Sequence, residues 1–300
     1  MSDAPPIEVL GVTKRFGDLT AVEDLRCSVP AGSVTGFLGP NGAGKTTTMR
    51  VILGLARPTD GEARIHGLPY ARLPRPLTVV GASLEATGFH PGRTARRHLQ
   101  VVATQAGLER DRPATVLEMT GMEAYADRRV GTYSLGMKQR LALATAMLGA
   151  PRILVLDEPA NGLDPAGVAW LRGFLRRFAD EGGAVLISSH ILSEVAEVAD
   201  RVVVIDRGKL VTEGPVDMIR AAAGETVVVR SPDPEGLRAA LHGAGADLRT
   251  GADPSVLVVL DLPIERVGEV AAAAGIVLHE LRRETSSLED AFLRLTGDGA

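Results

Sequence analysis

The run "GPNGAGKTTT" fits the pattern G-x-x-x-x-G-K-[ST] from Gly39 to Thr46. Glycines at that spacing leave backbone N–H groups uncovered, and converging N–H groups bind phosphate oxygens. Gly39, Pro40, Asn41, Gly42, Ala43, Gly44, Lys45, Thr46 and Thr47 form the expected cradle for a nucleoside triphosphate. Lys45 supplies a mobile point charge for the β and γ phosphates. The Thr46 hydroxyl is a hard oxygen that can ligate Mg²⁺. "SVTGFLG" before the loop reads as a strand and "KTTTMRVILGLA" after it as a helix. That setting separates the motif from a Gly-rich turn with an incidental lysine.

A second chemical pair ends the apolar run "RILVLDEP". A strand there presents Asp157 and Glu158 at its carboxyl end, where α/β sheets place their ligands. Asp157 would hold Mg²⁺ through water, and Glu158 would orient or deprotonate an attacking water. A third feature is "YSLGMKQR", Tyr133 to Arg140. Ser134 reads as a helix N-cap and Gly136 leaves the backbone bare, so this helix start also suits an anion.

The elements that must position these residues follow from apolar patterning. "RILVLDEP", "AVLISSH" and "RVVVIDRGKL" read as strands without period-two alternation, so both faces are buried. Such strands belong to a parallel sheet covered by helices. Between Arg93 and Ala150 the pattern turns helical alone, as in a subdomain inserted into an α/β body. After Gly224 the order becomes β-α-β-β-α-β, with "SLEDAFLRLTG" as a last helix, which fits a ferredoxin-like α+β unit. The expected division is 1–222, with a helical subdomain at about 88–150, and 223–300 as an accessory domain.

With 300 residues, 45% of them apolar and 23% charged, the composition is that of a globular protein. Aromatics make up 3%, so aliphatic residues must build the core. A net charge of -4 argues against a nucleic-acid partner. The single cysteine, Cys27, excludes an internal disulfide framework, fits a reducing compartment and reads as a small apolar strand residue. "MSDAPPIEVLGV" lacks the apolar stretch of a signal peptide. No apolar run reaches the roughly 18 residues of a membrane span.

With these motifs in order, residues 7 to about 220 resemble the nucleotide-binding subunits of ABC transporters. The resemblance implies a P-loop NTPase core with an inserted helical subdomain, and a pair of subunits that sandwich two ATP molecules head to tail. "YSLGMKQR" takes the family's signature position, so Ser134 and Gly136 would face the γ-phosphate held by the partner subunit. Leu135 and Met137 depart from the common LSGGQ form, which puts ribose-side contacts in doubt and leaves the phosphate contact intact. The resemblance also assigns Asp164 of "NGLD" to the loop crossing the dimer interface, His190 to the switch histidine and Phe16 to the ring that stacks on adenine. For Phe16 a buried core position is the rival reading. Glu85 stands where the family has a glutamine, and as a hard oxygen ligand it could hold Mg²⁺; a surface glutamate is the alternative. The other histidines read as structural or surface residues.

"VGASLEATGFHP" together with "YSLGMKQR" looks like the branch exporting bacitracin, lantibiotics and related compounds. That implies an ATP-hydrolysing subunit on the cytoplasmic face of the membrane, bound peripherally through a separately encoded permease that selects the cargo. Arg93, Arg96 and Arg97 could meet an acidic partner or lipid headgroups there, although a solvated face is the commoner fate of such a run. Two other classes remain open: a soluble, non-transport ABC ATPase, and a nucleotide-gated binding module that does not hydrolyse. Glu158 argues against the second.

Overall fold

The computed structural model describes residues 4–84, 88–191, 195, 197–222, 226–250, 253–260 and 262–284. The chain forms two compact units, Met1–Gly214 and Pro215–Ala300, which divide ahead of the expected 222/223 boundary.

In the first unit the strands are β1 (Ile7–Phe16), β2 (Leu19–Val29), β3 (Ser33–Leu38), β4 (Asp60–Ile65), β5 (Val80–Ser83), β6 (Ile153–Leu156), β7 (Ala184–Ser189), β8 (Arg201–Asp206) and β9 (Lys209–Pro215). Six form one sheet in the order β5-β6-β7-β3-β8-β9, parallel from β5 through β8. Every residue of β3, β6 and β7 is buried, as strands without alternation require. "RVVVIDRGKL" is a hairpin rather than one strand: Arg207 (φ 46°) and Gly208 (φ 81°) both adopt positive φ between β8 and β9. Two successive left-handed residues make the tight turn whose twist matches a hairpin.

A second sheet, β2-β1-β4, is antiparallel. Ile7, Val9, Val22 and Leu25 from it share one buried cluster with Phe37, Val155 and Leu186 of the parallel sheet. Met49 and Ile52 of α1 (Lys45–Ile52) lie in the same cluster, so the helix after the cradle is held by both sheets. Cys27 lies on β2, where burial pushes its thiol up to about 12 with Glu213 adding to the effect.

A short helix α2 (Pro76–Val79) precedes β5. The insertion contains α3 (Ala95–Gln105), α4 (Arg112–Met119), α5 (Leu135–Ala146) and short 3₁₀ turns. Thr94 caps α3 by accepting from the Arg97 amide. Its neighbour Arg96 is paired with Asp127 at 2.8 Å, so that guanidinium is already engaged within the insertion. Helix α5 returns the chain to the sheet, and Gly81 of β5 is where the two meet. A Cβ there would lie 2.2 Å from the Ala146 carbonyl oxygen, and backbone cannot step aside as a side chain can. Gly81→Ala is expected to destabilise the unit by about 1–3 kcal/mol, the cost of overpacking a filled core. A lower urea midpoint with an unchanged slope is the readout.

After α6 (Pro165–Asp180) in the first unit, the second unit begins with α7 (Val216–Ala222). It continues as β10 (Thr226–Arg230), α8 (Pro234–Gly243), β11 (Asp247–Thr250), β12 (Val256–Leu260), α9 (Ile264–Ala273) and β13 (Glu280–Glu284). The sheet order is β11-β12-β10-β13 with antiparallel neighbours throughout. The first and third strands are thus central, as in a ferredoxin-like split βαβ unit. Val227, Val229, Leu257 and Val259 pack with Leu237 and Leu241 of α8 and Val267 of α9. The expected last helix, "SLEDAFLRLTG", lies outside the described residues.

Candidate functional site

The loop between β3 and α1 is shaped by glycines that no other residue could replace. Gly44 holds φ 104° at the start of α1, and a Cβ on it would lie 2.6 Å from the Ala21 carbonyl oxygen. At Gly39 the corresponding distance is 2.3 Å, to the carbonyl oxygen of Ile205. The Ala43 amide closes the turn on the Pro40 carbonyl at 3.1 Å. Lys45 is 7% exposed and its Nζ donates to the carbonyls of Gly39 (2.6 Å) and Pro40 (3.2 Å). Burial lowers its pKa, against the opposing pull of the Glu158 and Asp157 carboxylates. Asn41, Gly42, Gly44, Thr46 and Thr47 line an open cavity of about 380 Å³ with Lys45.

The sheet order brings the ends of β6, β7 and β3 side by side, which carries Asp157, Glu158 and His190 to the cradle. The Thr46 hydroxyl donates to Asp157 Oδ2 at 2.6 Å. Glu158 Oε1 lies 4.0 Å from Lys45 Nζ, and its Oε2 lies 2.9 Å from His190 Nδ1. Glu158 adopts φ 48°, a left-handed conformation that turns the chain sharply after the strand. The hydroxyl of Thr46 and the carboxylate of Asp157 are hard oxygens converging on one point beside the phosphate loop. That donor set fits Mg²⁺, which takes few protein ligands and completes its shell with water and phosphate.

Ser188 was not expected from the sequence. Its hydroxyl donates to Asp157 Oδ1 and accepts the Glu158 amide at 2.9 Å. The available signal was a serine inside an otherwise apolar strand, "AVLIS".

Phe16 ends β1 with 53% of its surface exposed, which excludes the buried-core reading. It pairs across the hairpin with Leu19, and both rim the cavity that holds Lys45 and Glu158. Leu19, 66% exposed, is a second apolar wall that sequence reasoning missed. Lys14 Nζ lies 4.7 Å from the centre of the Phe16 ring.

Ser134 caps α5, its hydroxyl accepting the Met137 amide at 3.2 Å. Asp164 caps α6 by accepting the Gly167 amide at 2.7 Å. Ser134, Gly136 and Asp164 share a second opening of about 540 Å³ with Met137 and Arg140. None of the cradle residues lines it, so one chain presents two separate surfaces. Gly136 faces Leu163, where a Cβ would approach to 3.3 Å. Gln139, also missed, reaches from α5 to the carbonyls of Glu158 (3.4 Å) and Asn161 (3.3 Å) and links the two regions. Glu85 lies outside the described residues. His98, read as a structural or surface residue, packs edge-on against Phe89 with ring centres 5.0 Å apart.

The sequence profile described as ABC transporter matches residues 22–161, and a domain of unknown function matches residues 225–289. The bacitracin transport ATP-binding protein of Bacillus licheniformis is 35% identical over 299 residues, covering 98% of each chain. The Nod factor export ATP-binding protein I of Burkholderia orbicola is 37% identical over 301 residues, covering 97% of each chain. A solved ATP-binding subunit of an ABC transporter matches with a TM-score of 0.66 at 27% identity, over 72% of this chain and 92% of that one. A dimeric ATP-binding cassette bound to ADP and phosphate has the same fold, with a TM-score of 0.63 at 22% identity over 70% of this chain and 98% of that one. With a phosphate loop, an acidic strand end and a serine-capped helix arranged as described, and near full-length likeness to these relatives, the chain belongs to the ABC transporter family, among its ATP-binding subunits.

Proposed function

We propose that the chain hydrolyses ATP to energise an exporter whose membrane-spanning permease is a separate protein. The observation that carries this reading is the cluster of Lys45, Thr46, Asp157, Glu158 and His190 within hydrogen-bonding or ion-pair reach of one another. Backbone N–H groups of the loop and Lys45 bind the β and γ phosphates. Thr46 and Asp157 would hold Mg²⁺, Asp157 through water, with Glu85 as a further candidate ligand; bound Mg²⁺ would supply neutralisation of phosphate charge. Phe16 stacks on the adenine, with Leu19 beside it.

Water attacks the γ-phosphorus in line with the departing ADP oxygen, and Glu158 accepts the proton that water loses. His190, hydrogen-bonded to Glu158, holds that carboxylate and reaches toward the γ-phosphate. Ser134 and Gly136 of a second copy supply the remaining donors, and Asp164 shapes the interface. The same surface is then used twice about a two-fold axis. Ser134, Gly136 and Asp164 line an opening that shares no residue with the cradle of their own chain, which supports that arrangement.

No helix among the described residues is long and apolar enough to cross a membrane. Attachment to the cytoplasmic face would therefore run through the permease. Relatives named for bacitracin and lantibiotic transport favour antibiotic, peptide or drug efflux as the cargo class, while the Nod factor export name supports export in general.

Phosphate release by the purified chain, followed together with light scattering, tests the reading. Hydrolysis should accompany an ATP-dependent shift from monomer to dimer. A preparation that turns over as a strict monomer would refute the shared site, and one that binds ATP without turnover would favour a nucleotide-gated binding module.

A further inference from the structure

We propose that Ser188 is a positioning residue for hydrolysis, acting through Asp157 and Glu158; this rests on the ATPase reading above. Ser188 is fully buried, the fifth residue of the six-residue strand β7. The register Leu156↔Ile187 sets it beside the end of β6, where the acidic pair begins. A serine hydroxyl has one proton to donate. Here it goes to Asp157 Oδ1, while the same oxygen accepts the Glu158 amide at 2.9 Å.

The consequence for Asp157 is that both carboxylate oxygens are occupied. Thr46 donates to Oδ2 and Ser188 to Oδ1, so the plane of the carboxylate is held from two sides. The Asp157 amide is tied in turn to the Ser83 carbonyl at 2.8 Å.

The consequence for Glu158 is larger. Its φ of 48° takes it out of the strand conformation, so its amide needs a partner other than the regular ladder. Ser188 supplies that partner. The turn it secures aims the Glu158 carboxylate at Lys45 and His190. Ser188 lies near the end of β7 and His190 just past it, so one end of this strand holds the backbone of Glu158 with one residue and its carboxylate with the other.

An apolar replacement removes both contacts without touching the phosphate loop. Asp157 then loses one of its two fixed oxygens, and the half-buried Glu158 amide loses its partner. Threonine retains the hydroxyl, and Ser188 borders a small cavity of about 30 Å³ that Glu158 and Val195 also line. Ser188→Val and Ser188→Thr therefore have nearly the same shape and differ in the hydroxyl.

The test compares these two variants in the full-length chain. Ser188→Val is expected to lower kcat about 10- to 100-fold, the range for lost outer contacts to a ligating carboxylate. The Mg²⁺ concentration for half-maximal activity should rise with it. Binding of a fluorescent ATP analogue in EDTA should stay within about twofold, because the loop and Lys45 are intact. In the ligand-free protein, hydrogen exchange at the Glu158 amide should accelerate. Ser188→Thr should retain kcat within about threefold and keep the amide protected. Should the valine variant fold poorly, Ser188→Ala provides the same contrast with threonine. Wild-type kcat and Mg²⁺ dependence in the hydroxyl-free variant, or equal losses in the threonine variant, would overturn the assignment. Unchanged exchange at Glu158 would overturn it independently of turnover, whereas a wild-type chain that never hydrolyses ATP would refute the ATPase reading itself.

Discussion

Glu158→Gln slows ATP hydrolysis by about 100-fold or more while leaving nucleotide binding in place, because positioned general bases contribute about 10²–10⁴. The substitution keeps shape and removes the basic oxygen that takes a proton from water in the proposed mechanism. The amide can still meet His190 and the neighbourhood of Lys45, which lie 2.9 and 4.0 Å from the present carboxylate. The backbone turn at φ 48° and its tie to Ser188 do not depend on the side chain, so the local fold survives. ATP should then persist at the interface and the two-fold pair should accumulate. Single-turnover phosphate release and light scattering measure the two effects in one sample. Hydrolysis at the wild-type rate would place the base elsewhere.

Lys45→Ala is the second large effect, and it falls on binding. The ammonium is almost enclosed, donating to carbonyls of the loop it serves and lying 4.0 Å from the Glu158 carboxylate. Truncating one partner of a buried, hydrogen-bonded charge pair costs about 2–4 kcal/mol, or about 30- to 1,000-fold in affinity. The ligand-free protein should respond differently. Burial disfavours the charged amine and lowers its pKa, which offsets part of the cost of losing its contacts to Gly39, Pro40 and Glu158, so the melting temperature should fall by less than the loss in ATP affinity implies. ATP-dependent thermal stabilisation should be present in the wild type and absent in the variant. A variant that keeps the full ATP-induced shift would show that backbone N–H groups alone hold the phosphates.

These two residues were legible in the sequence because each belongs to a short local pattern. Lys45 follows glycines that only a tight anion loop requires, and Glu158 closes an apolar run of strand length. Ser134 was legible for the same reason, being a cap whose partner lies three residues away, whereas Asp164 came only through the family resemblance and its capping of α6 emerged from the structure. The β-α-β-β-α-β order after Gly224 could likewise be read from alternating patterns.

Ser188, Gln139 and Leu19 were not legible, since each acquires its meaning from a strand or helix far away in sequence. Ser188 matters because β6 and β7 pair in one register; shifted by one residue, its hydroxyl would face elsewhere. Leu19 matters because the hairpin sets it opposite Phe16 at the rim of the cradle. Gln139 matters because α5 runs past the chain turn after β6. Sequence alone therefore determined which groups could bind phosphate and activate water, since backbone geometry and side-chain chemistry are local properties. Tertiary structure decided which of those groups meet, which serve a different surface, and which unremarked hydroxyl holds them, because only strand order and register bring distant residues within hydrogen-bond reach.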